Sequence, residues 1–506
     1  MQTIIFSDVL SPGFGRNAGA YRIATQLRNN GYTCQVIDHC TRYTQDEYVK
    51  IIDKFVTKDT LWVGISNTFF FPLIQEGPAD GRFNDVFDKV FGKISDFRSG
   101  YPFESDTMQK LFWYIRSKNE NVKIIIGGAR SKEALRYDAG EKGVFADYYV
   151  HGYADEAIVE LTNWLRSNKS PRPKLDIIHK SIIDSNMDYP YQHFNNCNIK
   201  YIKEDLISPD EYLPIEIARG CIFKCKFCSF SLLGKKRGDY TKTKETLINE
   251  FMYNYETFGT TNYMFMDETT NDSMEKAEYL LDVTSSLPFK IRWGGYARLD
   301  LHYANPDMAA IMKESGQRHT QFGIETFNHQ SGKAIGKGLD PEKIKKTLEK
   351  LKHEWKNDVR ITTGLIVGLP YETRRSLKDL ENYLLSDDCN LDAWVLHPLL
   401  LVEESVFGED PAKYGYTFEQ GSSQILNWKN SEMNFEDAVQ IVTEIRNNTK
   451  HKCKLNTWSH MRLQNIGYTE SEVDSMNTET YLSTMTTIAE RMTLKKDTYF
   501  RHLMSL

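Results

Sequence analysis

Apolar residues recur along the first 170 or so positions in two alternating periods. Short runs rich in Ile, Val and Phe at residues 3–6, 33–37 and 61–66 read as buried strands, and residues 18–29 carry the three-and-four spacing of a helix. The alternation continues with a helix over 108–118, strands over 122–126 and 148–150, the turn Gly127-Gly128, and a helix over 155–166. Strands separated by helices predict a parallel sheet with crossover connections, here a doubly wound, Rossmann-like domain over residues 1–172. Ligands of such sheets bind past the carboxyl ends of the strands, which places residues 7–15, 66–68 and Gly127-Gly128 on one rim. Residues 74–106 fit neither period and predict a lid or an interface segment.

The run Ser-Asn-Lys-Ser-Pro-Arg-Pro at 167–173 breaks the pattern, and the polar stretch over 173–212 reads as a linker. Strand signals then recur at 214–218, 262–266, 291–296, 319–324, 360–367 and 392–398, with helical patterns over 243–257, 273–286, 306–315, 341–355 and 376–385 between them. Repeated β/α units of this kind predict a partial (β/α)6, TIM-like barrel over 213–400. Residues 401–506 are helix-rich and carry Trp428 and Trp458, with no legible motif. The fold class is therefore α/β, with a helical C-terminal region.

Composition narrows the function. A chain of 506 residues with 40% apolar and 12% aromatic residues can build about three cored domains. A net charge of −6 gives no general attraction to nucleic acid or anionic membranes. No apolar run approaches the roughly 18 residues of a spanning helix, and no basic, then apolar leader follows Met1. Eight cysteines, five of them scattered, suit a reducing compartment, so a cytoplasmic location without membrane or nucleic-acid partners is expected.

The other three cysteines carry the chemistry. Cys221, Cys225 and Cys228 stand at C-x3-C-x2-C spacing in the run from Gly220 to Ser229. Three thiolates so close can hold three corners of a [4Fe-4S] cube and leave one iron open to another ligand. Zinc wants a closed set of four ligands, and no further Cys or His pair follows at suitable spacing. The loop follows the first strand of the barrel, so it falls on the carboxyl rim where such folds keep their active sites.

The motif, with Phe227 before its last Cys, resembles the signature of the radical S-adenosylmethionine (radical SAM) enzymes, and the resemblance extends over residues 213–400. In that family the open iron binds SAM, and an electron from the cube cleaves the sulfonium to release a 5′-deoxyadenosyl radical. Further segments match in order. Met266-Asp267-Glu268-Thr269 ends the second strand, where the family presents polar groups to the SAM amine; either Asp267 or Glu268 would serve, unless it caps the next helix in place of Asn271 or Asp272. Arg298, in Tyr296-Ala-Arg298-Leu-Asp300, suits a carboxylate, and a salt bridge to Asp300 fits the spacing equally well. Glu325, in Gly323-Ile-Glu325-Thr, corresponds to the carboxylate that approaches the SAM ribose, with Lys337-Gly338 at the usual distance beyond. Gly368, in Gly364-Leu-Ile-Val-Gly368-Leu-Pro370, corresponds to the glycine-rich turn near adenine.

The N-terminal domain resembles the cobalamin-binding domain that precedes many radical SAM cores, through Ser66, Gly127, Gly128 and the segment His151-Gly-Tyr-Ala-Asp155-Glu. Domains that ligate cobalt through a protein imidazole carry D-x-H-x-x-G after the first strand; this chain reads Asp8-Val-Leu10-Ser-Pro-Gly13, so cobalamin would be held without a His ligand. The resemblance implies an enzyme using a [4Fe-4S] cluster, SAM and cobalamin to methylate an unactivated carbon of a small molecule or peptide. It implies a reducing partner such as flavodoxin or ferredoxin. The alternatives are a radical SAM rearrangement or oxidation without cobalamin and a non-catalytic iron–sulfur carrier, which would need none of the SAM segments. His39, beside Asp38, reads as a solvated or hydrogen-bonded rim residue, the basic run at 234–238 as a solvated loop, and Tyr153, Trp394 and His397 as cavity or packing residues.

Overall fold

The computed structural model describes residues 1–9, 13–66, 105–128, 131, 146–167, 182–184, 198–230, 232–402, 405–418 and 426–506. Leu10, residues 67–104 and Cys197 lie outside the described residues.

The first sheet takes its strands in the order β2-β1-β3-β4-β5-β6, all parallel. They are β1 (Thr3–Phe6), β2 (Cys34–Ile37), β3 (Trp62–Ser66), β4 (Lys123–Gly127), β5 (Tyr148–His151) and β6 (Ile182–Asp184). Helices α1 (Ala18–Asn29), α2 (Gln45–Phe55), α3 (Ser105–Lys118) and α4 (Ala157–Ser167) connect or cover them. The winding reverses between β1 and β3, and ligands of doubly wound sheets bind at such a switch point. Asn17, the N-cap of α1, bridges it: its side chain accepts from the Gly19 amide and donates to Ser66 Oγ at 2.9 Å.

The periodicity located most of these elements within one to three residues. It missed α2, although Thr44 and Glu47 form a capping box there. It also passed over β6, which falls inside the segment read as a linker and pairs with β5; three residues are too few to show a period.

The second sheet runs in strict sequence order, β12-β11-β10-β9-β8-β7, again all parallel. Its strands are β7 (Leu213–Ile215), β8 (Asn262–Phe265), β9 (Arg292–Ala297), β10 (Gln317–Glu325), β11 (Arg360–Val367) and β12 (Ala393–Pro398). Outside them pack α5 (Lys244–Phe258), α6 (Met274–Ser285), α7 (Leu299–Ala304), α8 (Met308–Glu314), α9 (His329–Ile335), α10 (Pro341–Trp355) and α11 (Arg374–Leu385). Winding in one direction without β7–β12 pairing gives the expected partial barrel. Alternate residues divide its two faces: Phe322, Ile324, Ile361, Leu365 and Val367 join the outer core, whereas Tyr296, Gln321, Gly364 and His397 face inward.

The C-terminal region supplies α12 (Phe435–Thr449), α13 (Thr457–Gln464), α14 (Glu470–Asp474), α15 (Thr478–Ser483) and α16 (Met485–Ser505). Helix α13 lies against the inner face of the barrel towards the amino ends of its strands. Met461 approaches Gly294, the His460 ring lies 4.5 Å from that of His319, and Thr457 and Thr362 share a hydrogen bond of 2.8 Å. Helix α16 returns to the first domain, where Tyr499 and Leu503 join the core around Ile37 and Tyr48. A second core runs unbroken from Tyr21 and Leu27 of α1 to Leu213, Phe265 and Trp293 of the barrel, so the two sheets share one apolar interior.

Candidate active site

The cluster loop leaves the end of β7 and is fixed at its base by backbone. The Cys221 amide donates to Leu232 O at 2.8 Å, Gly234 donates back to Cys221 O at 2.7 Å, and Lys226 donates to Ile335 O at 3.1 Å. Gly220 is held at φ 74°, and a Cβ there would stand 2.5 Å from Leu232 O, so only glycine permits this turn. Each of two thiols has a polar neighbour. Cys221 Sγ lies 3.3 Å from Thr269 Oγ1, and Arg298 Nη1 donates to Cys225 Sγ at 3.2 Å. Burial pushes the Cys228 thiol up to about 11, so taking up iron must displace its proton. Among the described residues no three His, Cys, Asp or Glu side chains converge on one ion. A cube spreads its thiolates over separate irons, and three thiols on a half-open loop beside hydrogen-bond donors fit it. Phe227 is partly buried against the outer core.

At the end of β8 the two carboxylates divide. Asp267 is 1% exposed and accepts from the amides of Ala218 at 2.7 Å and Ile217 at 3.0 Å, tying down the entry to the cluster loop. That engagement corrects the reading of Asp267 as a SAM contact. Glu268 is half-buried, burial raises its pKa, and Oε1 accepts from Tyr153 Oη at 3.2 Å. Neither caps α6, because Ser273 does.

Arg298 makes the salt bridge to Asp300 that its spacing allowed. Its fork grips Asp300 through Nε at 3.0 Å and Nη2 at 2.7 Å, its third nitrogen reaches Cys225, and its plane stacks 3.9 Å from the Phe223 ring. Glu325 sits at φ 68° behind a register shift in β10, and Lys337 Nζ pairs with its carboxylate at 3.2 Å. Bulges of this kind re-aim a side chain at a strand end. Asp300, Gly323, Lys337 and Gly338 line a small cavity of ≈ 20 Å³.

Gly368 departs from expectation. At φ 103°, its Cβ position lies 2.3 Å from Trp428, its amide donates to Glu372 at 2.8 Å, and its carbonyl accepts from Tyr416 Oη at 2.8 Å. The flat ring this glycine admits is that of Trp428. A groove of ≈ 810 Å³ at the amino ends of β9 and β10 holds none of the candidate residues.

On the first domain, Ser66 and Gly127 are neighbours in register across β3 and β4, and Gly128 follows at φ 112°. Among the described residues, a Cβ on Gly127 would find its nearest neighbour, Val150 O, only at 3.8 Å, so they leave the rim open there. His39 is buried rather than solvated, stacked 4.1 Å from Phe14 and near Tyr499. Lys235 is likewise drawn in to Asp239 O at 2.9 Å, and Trp394 belongs to the core, donating to Thr449 at 3.0 Å.

The two rims meet. Tyr153, just past β5, donates to Glu268 past β8 and packs 4.6 Å from the guanidinium of Arg219, two residues before Cys221. Around it Asp155 grips Arg219 at 2.8 Å and Arg22 at 2.9 Å, while Glu216 accepts from Arg22 at 2.6 Å. The carboxyl ends of the first sheet thus face those of the barrel across a buried ionic seam. Inside the barrel mouth, Tyr296 keeps 42% of its surface open although protein encloses it, and His397 is exposed yet burial lowers its pKa to about 4. Tyr296 and His397 thus leave open surface on the inner face of the barrel mouth.

Residues 215–384 match the sequence family described as the radical SAM superfamily. An uncharacterized methyltransferase of Pyrococcus horikoshii is 26% identical over 273 residues, 51% of this chain and 57% of that protein. The ribosomal protein uS12 methylthiotransferase RimO of Protochlamydia amoebophila is 25% identical over 221 residues, 42% of this chain and 43% of that protein. The chain therefore spans about half the length of the curated relatives it matches. Among solved structures, the radical SAM methyltransferase TsrM from Kitasatospora setae, with cobalamin and a [4Fe-4S] cluster bound, has a TM-score of 0.58 at 12% identity, covering 81% of this chain and 75% of that one. The cobalamin-dependent SAM radical enzyme OxsB, with aqua-cobalamin and SAM bound, also reaches 0.58 at 13% identity, covering 94% of this chain and 71% of that one. At such identities the likeness is one of fold, and it extends over both sheets. The sequence match to the radical SAM superfamily covers the barrel, residues 215–384, about a third of the chain.

Proposed function

We propose that the chain is a cobalamin-dependent radical SAM methyltransferase acting on an unactivated carbon. The observation that carries this reading is the meeting of two ligand-binding rims, Ser66, Gly127 and Gly128 on one side and the cysteine loop on the other, held together by Tyr153, Asp155 and Arg219. When bound, the cluster with SAM supplies reductive C–S cleavage and cobalamin supplies a methyl carrier. The chain's own residues position these groups. Cys221, Cys225 and Cys228 would hold the cluster, and Arg298 donates to one of its sulfur ligands. Glu268 offers an acceptor for the SAM amine, Glu325 offers one for its ribose, and Lys337 holds Glu325 in place. The ionic seam joins the two rims beside the space between them. Names of the similar proteins support the same reading, since TsrM and the Pyrococcus relative are described as methyltransferases.

The test is anaerobic reconstitution with iron, sulfide and hydroxocobalamin, followed by SAM and a chemical reductant. The reading expects S-adenosylhomocysteine and 5′-deoxyadenosine together. An intact cluster that yields neither refutes it, and 5′-deoxyadenosine alone returns the chain to the reading without methyl transfer.

A further inference from the structure

At the inner face of the barrel, Arg462 has no counter-charge among the described residues. Arg462 stands in the last turn of α13, its carbonyl accepting from the Phe14 amide at 3.0 Å, so it sits where the first sheet's rim meets the inner face of the barrel. Its Nε would lie 3.2 Å from a Cβ placed on Gly15, and Tyr296 is its foremost electrostatic neighbour. Among the described residues its guanidinium makes no ion pair. Nε is shielded from solvent without a hydrogen-bond partner, whereas the two Nη nitrogens are not shielded in this way. Burial lowers its pKa to about 10. Four other arginines near this seam are compensated: Arg16 by Glu211 and Asp38, Arg22 by Asp155 and Glu216, Arg219 by the same two carboxylates, and Arg298 by Asp300.

A half-buried guanidinium without an ion pair forgoes part of its hydration with no charge to offset it. It is retained where an incoming anion supplies the missing charge, and its planar fork matches a carboxylate or phosphate. Aromatic surface adjoins it. Trp458, one turn earlier on α13, packs its ring 4.8 Å from that of Tyr296, and Tyr296 keeps 42% of its surface open.

We infer that the substrate carries an oxyanion, carboxylate or phosphate, that is received by Arg462, with a flat apolar body laid against Tyr296 and Trp458. This deepens the proposed function and rests on it for the word substrate. The corrinoid tail also contains a phosphodiester, so the test must separate the two sources.

Thermal unfolding of the full chain is followed anaerobically with 3-phenylpropionate and with its neutral isostere 3-phenylpropionamide. At about ten times Kd, the carboxylate raises Tm by on the order of 1–2 °C more than the amide in the wild type. The difference vanishes in Arg462→Met, which keeps the aliphatic stem, and survives in part in Arg462→Lys. Equal shifts with the two ligands, or an undiminished difference in Arg462→Met, overturn the inference. If Arg462→Met does not fold, the wild type and Arg462→Lys decide it by the same comparison. Undiminished corrinoid retention by Arg462→Met keeps the oxyanion with the substrate, and lost retention gives it to the corrinoid phosphodiester and overturns the assignment. Absence of SAM cleavage by the wild type strikes the enzyme reading alone, because the ligand comparison needs no turnover.

Discussion

Arg298 shares one guanidinium between a carboxylate and a cysteine sulfur, and that division sets its effect on the cluster. A cationic donor next to a ligating sulfur stabilises the extra electron of the reduced state. Arg298→Met is therefore expected to lower the cluster's reduction potential by tens of millivolts, a one-electron couple moving about 59 mV per tenfold change in equilibrium. Spectroelectrochemical titration checks it, and an unchanged potential contradicts the role. Glu372 predicts a pH dependence. Burial pushes this carboxyl from its ordinary 4.5 up to about 7, against hydrogen bonds from Gly368, Leu369 and Thr326. The folded chain then binds more protons than the unfolded one between those values. The stability it contributes is complete below 4.5 and lost as pH rises through about 7, approaching ~3 kcal/mol in all. Urea unfolding of Glu372→Gln across that window should show a flatter profile than the wild type. At this scale the sequence identified which residue types gather at the rim, but not which atoms are already engaged. Asp267 and Glu268 are adjacent and chemically alike, and only the backbone amides of Ile217 and Ala218 tell them apart.

The elements were legible wherever burial imposed a period. Strands β1 and β11 and helices α1 and α10 coincide with the hydrophobic pattern, because each buries one face or both against a packed core. Function was legible at the turns, where Gly220 and Gly368 follow strands, but the reason for each glycine was not. Trp428 lies 60 positions beyond Gly368, and no local signal connects them. Two substitutions separate glycines kept for packing from those kept for an open rim. Gly368→Ala forces a Cβ against Trp428 at a backbone angle that L-residues avoid, and should cost at least ~3 kcal/mol in urea unfolding. Gly127→Ala meets nothing nearer than 3.8 Å among the described residues, so stability should change by less than ~1 kcal/mol while corrinoid retention falls. The reverse ranking would contradict the assignment of the two turns.

Across the whole molecule, the sequence indicated two ligand-binding sheets and could not say how they are set against each other. That arrangement rests on side chains far apart in the chain: Arg22 and Asp155 from the first domain, Glu216 and Arg219 from the second, and Tyr153 reaching Glu268. The C-terminal region closes the same interface, with α13 inside the barrel and α16 against the first sheet, which its motif-poor sequence did not announce. Asp155→Ala leaves two buried guanidinium groups to share Glu216, and should cost ~3–5 kcal/mol in urea unfolding. A loss below ~1 kcal/mol would mean that the seam does not hold the domains together. The central claim is that the open rim of the first sheet holds a corrinoid over the cluster. It is tested most directly by reconstituting the chain anaerobically with its cluster, incubating it with hydroxocobalamin, removing free corrinoid by gel filtration and recording the visible spectrum. The account predicts corrinoid retained in stoichiometric amount by the wild type and depleted in Gly127→Ala; a chain with an intact cluster that emerges without corrinoid would contradict it.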